Sequence, residues 1–306
     1  MQTTLENSVT FSGVGLHSGI LANLTLKPAP VNHGILFKRV DIVLGNPLVR
    51  ARWDYVSDTT LSTRLKNEDG TMVSTVEHLM AALAGCGVTN ALIELDTEEV
   101  PILDGSAAPF VKGILEVGLN NISSLSRIIK IIKPVIFKSE FGWARLSPHQ
   151  CPEMEYFIEF DDRAIGIQSK TLNMSNGSFV KELSSSRTFC SSKDVETMRE
   201  NGLALGGNYS NALVFEDDKV LSPGGMRYQD EAVRHKMLDA FGDLALAGAP
   251  ILGKYEGHKA GHFIPNSLLR KLFATPGSYV VEDCCEEIFS VLPGSGVNLE
   301  EFTAVA

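Results

Sequence analysis

Three residues that could do metal or acid-base chemistry stand at helical spacing: His235, Asp239 and Asp243, at i, i+4 and i+8. At about 100° per residue they fall within one narrow arc of a helix. A His and an Asp four residues apart can both reach one divalent ion, and nitrogen plus carboxylate oxygen donors suit zinc. A third ligand is still needed. Glu77-His78 offers a candidate, because a neighbouring Glu is the usual base for a metal-activated water and three protein ligands leave a fourth position open. Other readings of these residues stay open: the polar arc also suits a solvated helix face, and Glu77-His78 also suits a helix N-terminal charge beside a packed imidazole. It is not a zincin motif, since Ala82 stands where the second His is required. His258 and His262 border the turn GHKAGH (Gly257 to His262), where a pliant backbone can aim an imidazole into a cleft. There His262 reads either as a general acid or as a surface histidine, and His258 as a surface histidine. His17, His33 and His149 have no acidic or histidine neighbours and read as structural.

The elements that would position these groups follow from hydrophobic pattern. The first third alternates β-patterned runs with turn residues: Gln2 to Gly13, Ile20 to Lys27, Gly34 to Arg39 and Leu61 to Lys66. The first helix is expected over Val73 to Gly85, with Val76, Leu79, Met80 and Leu83 at helical spacing, followed by a strand over Asn90 to Asp96. A second helical pattern covers Asp104 to Gly118, after which Leu119 to Arg127 loses periodicity and apolar density. The domain boundary is expected there, giving units 1–122 and 127–306. The second unit opens with strand-like runs at Ile128 to Phe137 and Met154 to Phe160. It passes through a Ser/Gly-rich region and builds a long helix over Gln229 to Gly248, with Val233, Met237, Phe241 and Leu244 on one face and Pro250 beyond its end. A strand at Ile251 to Glu256, a helix near Asn266 to Phe273 and a strand near Tyr279 to Asp283 follow. Val76-Glu77-His78 and, 157 positions later, Val233-Arg234-His235 each open an apolar helix followed by a strand, which suggests a duplicated α+β unit.

Composition bounds the partners. The 306 residues, 44% hydrophobic and 21% charged, are enough to bury a large core and match a prior of two domains. No apolar span is long enough for a membrane helix and no signal-peptide pattern opens the chain, so a cytoplasmic protein is expected. The five cysteines are scattered without a C-x-x-C and read as free thiols. A net charge of −10 argues against nucleic acid as a partner, because phosphate backbones demand clustered Lys and Arg. Competing chemistries lack their motifs. There is no G-x-S-x-G. In GAPILGKY (Gly248 to Tyr255), Tyr255 replaces the Ser or Thr of a P-loop, and Ser18 stands where a dinucleotide-binding fingerprint after Gly13-Val14-Gly15 needs its third glycine.

Six blocks together carry a resemblance: SGVGLHSG (Ser12 to Gly19), STVEHLMAAL (Ser74 to Leu83), EVPILDGSAAPF (Glu99 to Phe110), SRTF (Ser186 to Phe189), VRHKMLDAFGDL (Val233 to Leu244) and KAGH (Lys259 to His262). In this order, over almost the whole chain, they resemble the UDP-3-O-acyl-N-acetylglucosamine deacetylase (LpxC) family of zinc amidases, which commits bacteria to lipid A synthesis. The resemblance implies an α+β fold of two similar two-layer sheet-and-helix domains with the active site between them. It implies zinc ligands His78, His235 and Asp239, general base Glu77 and general acid His262. It further implies Asp243 as the carboxylate orienting His262, Thr188 as the hydroxyl beside the developing oxyanion, and Lys236 and Phe189 as substrate-binding residues. The expected substrate is a UDP-sugar carrying an acyl chain, the cofactor Zn2+, and the working unit a monomer. An insertion after Phe189, roughly Cys190 to Gly206, is expected to form the acyl passage.

The implied chemistry suits these residue types. An amide is a poor electrophile with a poor leaving group, so its hydrolysis needs an activated water, oxyanion stabilisation and a proton for the departing amine. Two rivals share features of the sequence. A non-catalytic nucleotide-sugar or acyl-binding module would not need the intact set Glu77, His78, His235, Asp239 and His262. A zinc amidase for another N-acetyl sugar would not need the acyl chain.

Overall fold

The computed structural model describes residues 1–303. Its core is two five-stranded sheets of one topology. In the first, the strands run across the sheet in the order Val9–Val14, Leu21–Pro28, Ala91–Leu95, Ile35–Arg39, Leu48–Arg50, and only the pair Ala91–Leu95/Ile35–Arg39 is parallel. In the second, the order is Val135–Lys138, Trp143–Ser147, Lys254–His258, Glu153–Glu159, Ile167–Asn173, with only Lys254–His258/Glu153–Glu159 parallel. In each unit a helix precedes the central, late-arriving strand and another follows it. Helix α1 (Glu77–Gly85) and α2 (Ala108–Glu116) flank Ala91–Leu95, and α4 (Glu231–Ala245) and α5 (Phe263–Ala274) flank Lys254–His258. The duplication that Val76 and Val233 hinted at is thus carried by whole sheets.

Alternation in the strands decides which face is covered. Ala22, Leu24 and Leu26 of one strand, with Phe37, Val49, Ile93 and Leu95 of its neighbours, are all buried toward the helices. The two helix layers then meet in the middle, α1 against α4, and one continuous core joins both units. Because α1 lies between its own sheet and α4, it is buried nearly all round, from Glu77 to Gly85. The α1–α4 approach is close enough that a Cβ at Gly242 would collide with the carbonyl oxygen of Glu77, so that position has to be glycine.

Several boundaries differ from the sequence expectation for identifiable reasons. Helix α1 starts at Glu77 instead of Val73, because Met72–Val73 is a strand, Ser74 bridges Glu99, and Thr75 takes a positive φ of 56° that no helix continues. The run from Ile128 to Phe137 is two strands in different sheets. Arg127–Ile131 pairs with Tyr279–Asp283 and Ile251–Leu252, and Val135–Lys138 starts the second five-stranded sheet just past Pro134. The aperiodic stretch after Leu119 holds a short strand, Leu119–Ile122, which returns to pair with Gln2–Leu5. Residues 123–126 link that strand to Arg127–Ile131.

Each unit also carries a three-stranded excursion between its fourth large strand and the helix that precedes its central strand, α1 or α4. The first is Val56–Asp58, Arg64–Lys66 and Met72–Val73. The second is Phe189–Ser191, Leu213–Glu216 and Lys219–Val220, with α3 (Ser192–Glu200) inserted after its first strand. The segment from Cys190 to Gly206 is thus one part of a longer excursion that runs to Val220. Among the described residues no helix is long and apolar enough to cross a membrane.

Candidate active site

His78 is the second residue of α1, and His235 and Asp239 lie one turn apart on α4, so the α1–α4 contact brings all three together. The Nε2 atoms of His78 and His235 lie 3.4 and 3.3 Å from Asp239 Oδ1. The two rings stand perpendicular with centroids 5.0 Å apart. The polar arc on α4 is therefore buried rather than solvated: His235, Asp239 and Asp243 are all closed off from solvent.

The protonation pattern of this trio calls for a cation. His235 Nδ1 is 3.0 Å from the carbonyl oxygen of Ser186, so that nitrogen donates its proton and Nε2 presents a lone pair to Asp239. Burial pushes the His235 pKa down to about 3, keeping the ring neutral. Asp239 is held ionised well below the usual carboxylate range. Burial alone would raise it, but with the His235 ring neutral the Lys236 ammonium, 2.8 Å from Oδ2, and the His262 ring, 3.9 Å from it, outweigh that. A lone pair and an anionic oxygen thus face each other at 3.3 Å, and among the described residues none donates a hydrogen bond to Asp239 Oδ1. Two nitrogens and one carboxylate oxygen, all within 4.8 Å of one another, suit a divalent metal with an open position.

Glu77 and His262 flank the trio from opposite units. Glu77, the first residue of α1, is buried, and burial raises its carboxyl pKa against the pull of His262 and His78. Its Oε2 accepts the N–H of Thr63 at 3.1 Å, and its Oε1 lies 3.8 Å from His262 Nε2. His262 caps the N-terminus of α5, and its Nδ1 is 3.0 Å from Asp243 Oδ2. Burial alone would lower the His262 pKa. The Asp243 carboxylate, then Glu77, reverse the sign and raise it to about 9. With Nδ1 committed to Asp243, Nε2 is the edge that faces the cleft.

The cleft is a cavity of about 300 Å³ lined by Glu77, His78, Thr188, Lys236, Asp239 and His262, among others, with Leu61, Phe141 and Phe263 also on its walls. Thr188 is fixed by its main chain: its N–H donates to the Gly105 carbonyl at 2.7 Å and its carbonyl accepts from Leu213 N–H at 2.8 Å. The Phe189 ring lies edge-on to His235 with centroids 6.0 Å apart, and the Lys236 ammonium sits 5.5 Å from its centroid. All nine residues singled out from the sequence converge on this region.

Three partners escaped the sequence reading. Glu99 accepts the N–H groups of His17 and Ser18, both at 2.8 Å, and the Thr75 hydroxyl at 2.9 Å, tying the SGVGLHSG block to Thr75, two residues before α1. Glu231, fully buried, accepts the Arg187 guanidinium at 2.9 Å and its N–H at 3.0 Å, anchoring SRTF to the start of α4. Thr63 contacts both Glu77 and Asp243. None of these has a local spacing signal, since each partner lies tens of residues away. His258, read as a surface histidine, is instead on a strand and stacks between Phe157 and Trp143, at 4.5 and 5.8 Å.

Comparison with known proteins places this geometry. Residues 2–274 match the family described as UDP-3-O-acyl N-acetylglycosamine deacetylase, LpxC. A UDP-3-O-acyl-N-acetylglucosamine deacetylase from Idiomarina loihiensis is 45% identical over 282 residues, 91% of each chain. Its counterpart from Neisseria meningitidis is 43% identical over 283 residues, 91% of this chain and 92% of its own. That of Psychrobacter arcticus is 40% identical over 304 residues, 98% of this chain and 94% of its own.

Proposed function

The chain belongs to the UDP-3-O-acyl N-acetylglycosamine deacetylase family, and we propose that His78, His235 and Asp239 hold its catalytic metal as zinc, with Glu77 as general base and His262 as general acid. It is a hydrolase that removes the N-acetyl group of UDP-3-O-acyl-N-acetylglucosamine, releasing acetate, in lipid A biosynthesis. The observation that carries the assignment of roles is the neutral His235 nitrogen facing the ionised, donor-less Asp239 oxygen, with Glu77 and His262 on either side.

When bound, the metal supplies Lewis acidity that polarises the amide carbonyl and lowers the pKa of water toward about 7. Glu77, raised by burial and free at Oε1, takes the proton of the attacking water. As the water oxygen bonds to the acetyl carbon, charge moves to the carbonyl oxygen, and the Thr188 hydroxyl at the cleft wall donates to it. His262, kept cationic by Asp243, delivers its Nε2 proton to the sugar nitrogen as the carbon–nitrogen bond breaks, leaving acetate and a free amine. Lys236 and Phe189 line the same wall and bind the substrate beyond the reacting amide.

We also propose the units 1–122 and 127–306 as its domains, each closed by its own strand pairing, Gln2–Leu5 with Leu119–Ile122 and Arg127–Ile131 with Tyr279–Asp283. One chain supplies every group of the cleft and its cysteines are free, which supports a monomer working in the reducing cytoplasm. Acetate release from UDP-3-O-acyl-N-acetylglucosamine, beside the same sugar without its acyl chain, tests the substrate. Rapid turnover only of the acylated compound is expected, and equal turnover of both would overturn the acyl requirement.

A further inference from the structure

Thr63 lies outside every block that marks the family, in the loop between the strands Val56–Asp58 and Arg64–Lys66, yet it is fully buried. Its N–H donates to Glu77 Oε2 at 3.1 Å. Its hydroxyl is 2.5 Å from Asp243 Oδ1 and 3.3 Å from Asn266 Nδ2. The directions of these bonds are forced. Asn266 Nδ2 also lies 2.8 Å from the carbonyl oxygen of His262, which can only accept, so that atom is the amide nitrogen and donates to both. The Thr63 hydroxyl therefore accepts from Asn266 and has one proton left, which goes to Asp243, an acceptor only.

Asp243 is consequently held at both oxygens, Oδ1 by Thr63 of the first unit and Oδ2 by His262 of the second. A carboxylate's terminal torsion is soft by itself, so a grip at two points is what fixes its plane. We propose that Thr63 is a positioning residue for the deacetylation. Its hydroxyl clamps Asp243 so that Oδ2 stays on His262 Nδ1, while its N–H occupies the oxygen of Glu77 that does not face His262. One residue thereby sets the base and the acid in register across the interface between the units. This rests on the reading of Glu77 and His262 as base and acid.

The test uses the metal-loaded full chain. Thr63→Val keeps the shape and the N–H but loses the hydroxyl, and Thr63→Ser keeps both. Thr63→Val is expected to lower kcat about 10- to 100-fold, the scale of an ångström-level misplacement, with KM and bound metal unchanged and Thr63→Ser restoring most of the rate. In an Asp243→Asn background Thr63→Val should cost little more, because the carboxylate it holds is gone. Three results would overturn the proposal: wild-type kcat in Thr63→Val, a loss equally large with and without Asp243, or Thr63→Ser as impaired as Thr63→Val. Thr63→Ala repeats the comparison if valine prevents folding. If Asp243→Asn and His262→Ala both keep wild-type activity, the acid assignment is what has failed, and this proposal falls with it.

Discussion

Asp243→Asn keeps the shape at α4 and an oxygen for His262 Nδ1, but removes one negative charge 3.0 Å from that ring. The His262 pKa stands at about 9 against an ordinary 6.5, with Asp243 the foremost of the groups that raise it against burial. Two unit charges about 4 Å apart interact by roughly 1 kcal/mol in bulk water and about 4 kcal/mol at the effective dielectric of a protein site. At about 1.4 kcal/mol per pKa unit, losing that interaction lowers the imidazole pKa by between about 1 and 3 units. The sign follows from the role. His262 works protonated, so activity falls as pH rises through its pKa, and a lower pKa moves the basic limb of the kcat/KM profile to lower pH. The assay is kcat/KM across pH 5 to 10 for wild type, Asp243→Asn and His262→Ala, with bound metal measured in each. The expected outcome is a basic limb moved down by about 1 to 3 units in Asp243→Asn at unchanged metal content. A limb that stays in place in Asp243→Asn, or a His262→Ala enzyme with wild-type activity, would refute the reasoning.

Glu77→Ala is expected to bind metal and fold normally while turnover drops by a factor on the order of 100 to 10,000; metal analysis beside steady-state kinetics checks it, and a loss explained wholly by missing metal goes against the base assignment. Gly242→Ala drives a methyl group into the Glu77 carbonyl, so denaturant unfolding should show a destabilisation of about 1 to 3 kcal/mol or more; an unchanged midpoint would mean that α1 and α4 can part without cost.

The spacing of His235, Asp239 and Asp243 was legible because a helix repeats every few residues, and local periodicity survives in a single sequence. What was not legible is that the arc is buried. That depends on α1 packing against α4, a contact between Glu77–Gly85 and Glu231–Ala245, segments far apart in the sequence. The start of α1 was misplaced because Val73 continues the apolar pattern while serving as a strand residue, and the positive φ of Thr75 leaves no mark in residue type. Pro134 marked the break that divides Ile128 to Phe137 between two sheets, but the isoleucines before it and Val135, Ile136 and Phe137 after it read as one β-patterned run and masked it. The duplication showed as a rhyme of a few residues because topology persists when side chains diverge. The partners of Thr63, Glu231 and Glu99, the last of which opens one of the six blocks, were invisible because hydrogen bonds to distant partners impose no spacing.

The central claim is that two histidines from different units and one aspartate hold the metal on which turnover depends. The direct measurement is elemental analysis of the purified chain with acetate release from UDP-3-O-acyl-N-acetylglucosamine, for wild type, His78→Ala, His235→Ala and a chelator-stripped wild type restored with zinc. The account predicts one zinc per wild-type chain, loss of metal and activity together in both variants, and recovery of the stripped enzyme by zinc. Full activity in the stripped protein, or either variant retaining one tightly bound zinc and wild-type turnover, would contradict it.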